Sequence, residues 1–150
     1  MAQIEAALAF PKEAQLKIVL VGGRDAWRMT SQLKETDTPM VIAPSTALPP
    51  RCGDPCDSAF SNAARLHEAG ARFCIATHGR GSEARHERHL PYEAAMAAAF
   101  GLPKEEALKA VTLYPAELLG VADQLGWQLL RAQTVKQHTR PRRREPLSLD

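Results

Sequence analysis

The chain has 150 residues, 45% hydrophobic and 24% charged, the composition of one soluble globular domain and not of a disordered or fibrous chain. A closed (β/α)8 barrel takes about 250 residues and rarely fewer than about 200, so the length excludes a complete one. The formal net charge of +2 hides a split: residues 1–126 carry 13 basic and 15 acidic side chains, whereas residues 127–150 carry 6 and 2.

Ile4 to Ala14 has helical spacing, interrupted at Pro11, whose ring cannot continue the preceding turn. Leu16 to Val21 is a β-branched run closed by Gly22-Gly23 and predicts a buried parallel strand. Asp25 to Glu35 predicts a helix with Ala26, Met29 and Leu33 inward, and Pro39 to Ala43 a second buried strand. Pro44 to Asp57, with four prolines and a glycine, is a loop of the length that commonly carries function. Ser58 to Ala69 predicts a helix stopped by Gly70, and Phe73 to Ala76 the third strand. A charged loop, His78 to His89, leads to helices over Tyr92 to Phe100, Lys104 to Thr112 and Pro115 to Leu119, the last stopped by Gly120. Strands alternating with helices argue for an α/β fold with a parallel sheet.

No stretch approaches the roughly 18 to 20 apolar residues of a membrane span, and the N-terminus lacks the pattern of a signal peptide, so the chain reads as cytoplasmic with no membrane partner. Three cysteines suit reduced thiols, not a disulfide scaffold. Cys52, Cys56, Cys74 and His78 have zinc-ligand chemistry, but along a strand Cys74 and His78 lie roughly 13 Å apart, too far to share a metal. His78, His86 and His89, with Arg80, Arg85 and Arg88, form a loop able to meet an anionic substrate or simply to face solvent. His67 reads as a helix-surface residue, and Asp54 and Asp57 as turn-capping carboxylates. Gly22-Gly23 lacks the wider glycine pattern of a dinucleotide site and reads as a tight strand exit.

The run Gly101-Leu-Pro-Lys-Glu-Glu-Ala-Leu-Lys-Ala-Val-Thr-Leu-Tyr-Pro-Ala-Glu-Leu-Leu-Gly-Val-Ala-Asp-Gln-Leu-Gly126 resembles the C-terminal region of metal-dependent amidohydrolases, especially those related to imidazolonepropionase. Leu20-Val-Gly-Gly-Arg-Asp-Ala-Trp27, Asp54-Pro-Cys-Asp57, Leu66-His-Glu-Ala-Gly70 and Leu90-Pro-Tyr-Glu-Ala94 occur in that subgroup's order, so the resemblance covers Ile4 to Gly126. It implies a partial TIM-type (β/α)8 barrel: strand-helix units six, seven and eight plus closing helices. It also implies an enzyme that uses zinc or another divalent metal to hydrolyse a C–N bond in an amide or peptide-like small molecule.

In that family, metal ligands come from strands one, four, five, six and eight. Most would lie before Met1, and the strand-six histidine falls where this chain has Gly22 and Gly23. Ala76-Thr77-His78 stands for the usual Gly-Thr-Asp, so His78 occupies the aspartate position as the one candidate ligand or catalytic residue. A neutral histidine can bind zinc but cannot act as the carboxylate that takes a proton from metal-bound water. Arg80, Arg85 and His89 are the candidate substrate-binding residues. The reading therefore expects a fragment, residues 1–126, that is inactive alone, takes no cofactor of its own, and is completed by an upstream half-barrel chain or by self-association.

Residues 127–150 depart from the family's ending and read as a basic, disordered tail, consistent with a reading-frame shift near Gly126. The alternative is a non-enzymatic α/β binding module whose Arg140 to Arg144 arm holds nucleic acid or another anion. The scarcity of stacking aromatics disfavours nucleic acid.

Overall fold

Three short apolar runs pair in parallel, in the order in which the chain makes them. In this computed structural model, which describes residues 4–9, 16–42, 49, 51–77 and 87–125, they are β1 (Leu20–Gly22), β2 (Met40–Ile42) and β3 (Phe73–Ile75). Leu20 aligns with Met40 and Phe73, Val21 with Val41 and Cys74, and Gly22 with Ile42 and Ile75. Helix α1 (residues 4–9) precedes β1. A 3-10 turn (Ala26–Arg28) and α2 (Thr30–Glu35) cross from β1 to β2, and α3 (Asn62–Glu68) crosses from β2 to β3. Helices α4 (Leu90–Ala99), α5 (Lys104–Val111) and α6 (Leu113–Leu118) follow.

Alternation along the strands sends the Leu20 and Gly22 rows to one face of the sheet and the Val21 row to the other. On the first face Met40, Ile42, Phe73 and Ile75 are buried against Leu33, Leu66 and Leu102 and a set of helix alanines, including Ala63, Ala97 and Ala110. The small alanine side chains let the helices approach the sheet closely. Phe60 stacks on Phe100 at 4.8 Å, joining the approach to α3 to the end of α4.

Four helices stop by one device: the residue after the C-cap turns left-handed, and two N–H groups fold back onto the last turn. At α3 the Gly70 N–H (φ 71°) donates to the His67 carbonyl at 2.9 Å and the Ala71 N–H to Leu66 at 3.0 Å. Gly101 and Gly120 close α4 and α6 in the same way. At α2 the left-handed residue is Asp37 (φ 45°), among the few side chains that tolerate the conformation.

Three expectations need correction. The helix over Asp25 to Glu35 breaks at Met29 (φ −124°, ψ 24°), yet Ala26, Met29 and Leu33 remain inward because the 3-10 turn keeps their spacing on the core side. Helix α3 begins at Asn62, not Ser58, since the Ser61 N–H and Oγ both donate to the Asp57 carbonyl, at 2.8 and 2.9 Å, in a turn that precedes it. The run Leu16 to Val21 is not buried: only Leu20–Gly22 pair, Val21 is 75% exposed and Leu16 is 56% exposed. Among the described residues β1 pairs on one side only, and its Val21 face is open. The helix expected to run on to Ala14 is described over residues 4–9 only, and the 127–150 tail lies outside the described residues.

Candidate functional site

In parallel α/β folds the loops beyond the C-terminal strand ends carry the chemistry. At the end of β1, Gly23 adopts φ 60°, and a Cβ there would stand 2.5 Å from the Met40 sulfur, so any other residue strains the backbone and forces the Met40 side chain to move. The Gly23 carbonyl accepts from Asn62 Nδ2 at 3.0 Å. Two ion pairs then lace the β1 exit to the Pro-rich loop. Arg51 grips Asp25 through both guanidinium nitrogens, at 2.7 and 3.1 Å, and Arg28 donates to Asp54. The Arg28 and Arg65 guanidinium groups both stand over the Trp27 ring, 4.4 and 4.6 Å from its centroid. Burial pushes the Asp25 carboxyl up, but the Arg51 guanidinium outweighs it and holds the group below its usual range.

Asp54 is thus an ion-pair partner, not a turn cap; its side chain is 4% exposed. Asp57 contributes its carbonyl to the turn before α3. Asp54 Oδ2 and Asn62 Oδ1 are buried acceptors with no hydrogen-bond partner among the described residues.

At the end of β3 a largely apolar cavity of about 570 Å³ runs from Val41 and Cys74 to Thr77 and Glu87. Those last two bracket the segment holding His78, Arg80 and Arg85, which lie outside the described residues, as does His86. His89 stands at the residue before α4 without a capping side-chain hydrogen bond, its ring edge-on to Tyr92 at 5.8 Å. Cys52 and Cys56 are exposed while Cys74 is buried, its thiol pushed up to about 11 by burial, so these sulfurs do not gather into one site. Among the described residues no group of three His, Cys, Asp or Glu side chains could hold a metal ion. The glycines at 22 and 23 offer no ligand, so the residues described here do not fit a metal centre.

Sequence reasoning missed a polar cluster at the opposite, N-terminal end of the strands. Glu106 accepts from Lys109 Nζ at 2.7 Å and from the Tyr114 hydroxyl, with His67 Nδ1 3.9 Å away. Lys109, then Tyr114, hold the Glu106 carboxyl below its usual range, while burial and Glu106 push the Tyr114 hydroxyl up. His67 is therefore no simple surface residue: it faces a carboxylate from α5. Only the i, i+3 pair Glu106 and Lys109 was visible in the sequence; His67 and Tyr114 join it through tertiary packing.

No protein-family model matches the chain, and no curated protein does. Among solved structures, an amidohydrolase from Thermotoga maritima MSB8 is similar to it, with a TM-score of 0.66 and 25% sequence identity over 82% of this chain. The chain spans 31% of that protein's length. The described residues thus form an amidohydrolase-like α/β unit whose three-stranded parallel sheet is compatible with part of a barrel.

Proposed function

We propose that this chain is a C-terminal portion of an amidohydrolase barrel, from an enzyme that hydrolyses a C–N bond in a small amide or peptide-like substrate with the help of zinc or another divalent metal. The observation that carries the reading is the similarity to an amidohydrolase over 82% of this chain but 31% of the other, together with parallel strands in sequential order. On this reading the His78 to His89 loop faces the substrate, with Arg80, Arg85 and His89 available to an anionic group. The cavity at the end of β3 is lined by Thr77 and Glu87, the residues on either side of segment 78–86. The imidazolonepropionase-related subgroup is the finer assignment, resting on the Gly101 to Gly126 pattern.

The chain alone is then inactive. Gly22 and Gly23 replace one ligand, His78 cannot serve as the carboxylate base, and the strands that carry the other ligands belong to further strand-helix units. A partner chain or a second copy covering the open β1 edge would complete the sheet.

Metal analysis of the purified chain, paired with amidase and dipeptidase assays in added zinc, tests inactivity: stoichiometric zinc with turnover overturns it. Mixing with a chain that carries amidohydrolase units one to five tests the fragment reading. Slowed hydrogen exchange at Leu20–Gly22 is expected, and unchanged exchange sinks it.

A further inference from the structure

A cavity of about 300 Å³ opens at the N-terminal ends of β2 and β3, the end of the strands away from the His78 loop. This is the lower end of the range for small-molecule sites. Its walls are apolar: Pro39, Phe73 and Leu118, with the Tyr114 ring. Phe73 and Tyr114 meet edge to face at 6.2 Å, and the Tyr114 hydroxyl is turned to Glu106, which leaves the ring to the cavity.

Two charges of opposite sign, Arg72 and Glu117, stand on the exposed part of the lining, with His67 between polar and apolar surfaces. They form no ion pair with one another among the described residues. The helix stop at Gly70 and Ala71 fixes the path from His67 to Arg72, so the basic side of the cavity is set by the backbone. The Arg72 guanidinium lies 3.3 Å from Asp37, but both side chains are more than half exposed, and such a pair holds weakly enough to yield to a bound carboxylate. Glu117 makes no hydrogen bond or ion pair among the described residues, and the Lys109 ammonium that feels its charge is already held by Glu106, which leaves the Glu117 carboxylate for a further cation.

We propose that this cavity is a binding site for a free amino acid with an apolar side chain: the carboxylate on Arg72, the ammonium on Glu117 and the side chain against Phe73, Tyr114 and Leu118. A neutral apolar molecule would leave both rim charges unused. A simple anion would meet the repulsion of Glu117, and a simple cation that of Arg72. A zwitterion matches both, and the apolar floor selects its side chain. The inference does not depend on the hydrolase reading, since it uses only residues at the opposite end of the sheet.

Calorimetric titration of the whole chain with L-phenylalanine and L-leucine tests it. Saturable binding of at least one is expected, weakened about tenfold or more by Arg72→Gln and by Glu117→Gln and unchanged by Glu105→Gln, an exposed residue outside the lining. L-phenylalaninamide, which lacks the carboxylate, and N-acetyl-L-phenylalanine, which lacks the ammonium, should each bind about tenfold or more weakly than L-phenylalanine. Circular dichroism checks that the variants keep their helices, as substitution of exposed side chains should allow. No saturable heat with either amino acid overturns the proposal, as do rim variants that bind like the parent chain or an amide that binds as well as the acid.

Discussion

β1 and β3 are aligned through β2 in one register, yet they live in different surroundings. Across the middle row, Val21 is 75% exposed, Val41 is half-buried and Cys74 is 4% exposed. The reason lies in α5 and α6, both of which pack on β3. Tyr114 meets Phe73 on the helix-covered face, while Leu118 and Leu119 share a cavity with Cys74 and Val41 on the other. Nothing equivalent stands at β1 among the described residues. Two strands of similar apolar composition therefore differ in burial because of what is packed on them, not because of their own residues.

Substitutions along this gradient should show it. Phe73→Ala removes a buried ring in contact with Tyr114 and should lower the unfolding free energy by about 3–5 kcal/mol, read by urea denaturation. Gly23→Ala sits at the β1 end but reaches β2 through the Met40 sulfur. Its strained backbone and forced movement of Met40 should cost about 1–3 kcal/mol, which would make the β1 exit a constrained point beside an unconstrained strand.

The Cys74 thiol has its proton held more tightly in the folded chain than in the unfolded one. Stability from this group is complete below pH 9 and declines as pH rises from 9.0 toward about 11. A Cys74→Ala variant should flatten the alkaline arm of the pH–stability curve. Alkylation with mass spectrometry at pH 8 should mark Cys52 and Cys56 and spare Cys74. The smallest effect is expected for Val21→Thr, within about 0.5 kcal/mol; a loss as large as that for Phe73→Ala would erase the contrast between the strands.

All three strands and each helix from α2 to α6 were legible in the sequence, because apolar periodicity and the stops at Gly70, Gly101 and Gly120 are local signals. The openness of β1 was not. Leu16, Val19 and Val21 are as apolar as the residues of a buried strand, and composition reports what a strand can be packed against, not what packs on it. The ion pairs at the strand ends were equally hidden: Asp25 with Arg51 and Arg28 with Asp54 each join residues 26 apart, from two different loops. Acidic residues in a Pro-rich loop suggested caps, and only the fold brings arginines to them. The cavity around Phe73 and Tyr114 draws on β3, α3 and α6, so no window of sequence contains it.

The strand order β1, β2, β3 gives the sheet a direction, with unlike edges at its two sides. If copies of the chain met edge to edge with their strands parallel, the β3 edge of one would receive the β1 edge of the next, a head-to-tail contact and not a two-fold one. Such a contact never saturates in a dimer. It ends in a ring where the rotation per copy divides a full turn and continues as a filament where it does not, so the symmetry of any assembly through these edges is set by the twist of three strands.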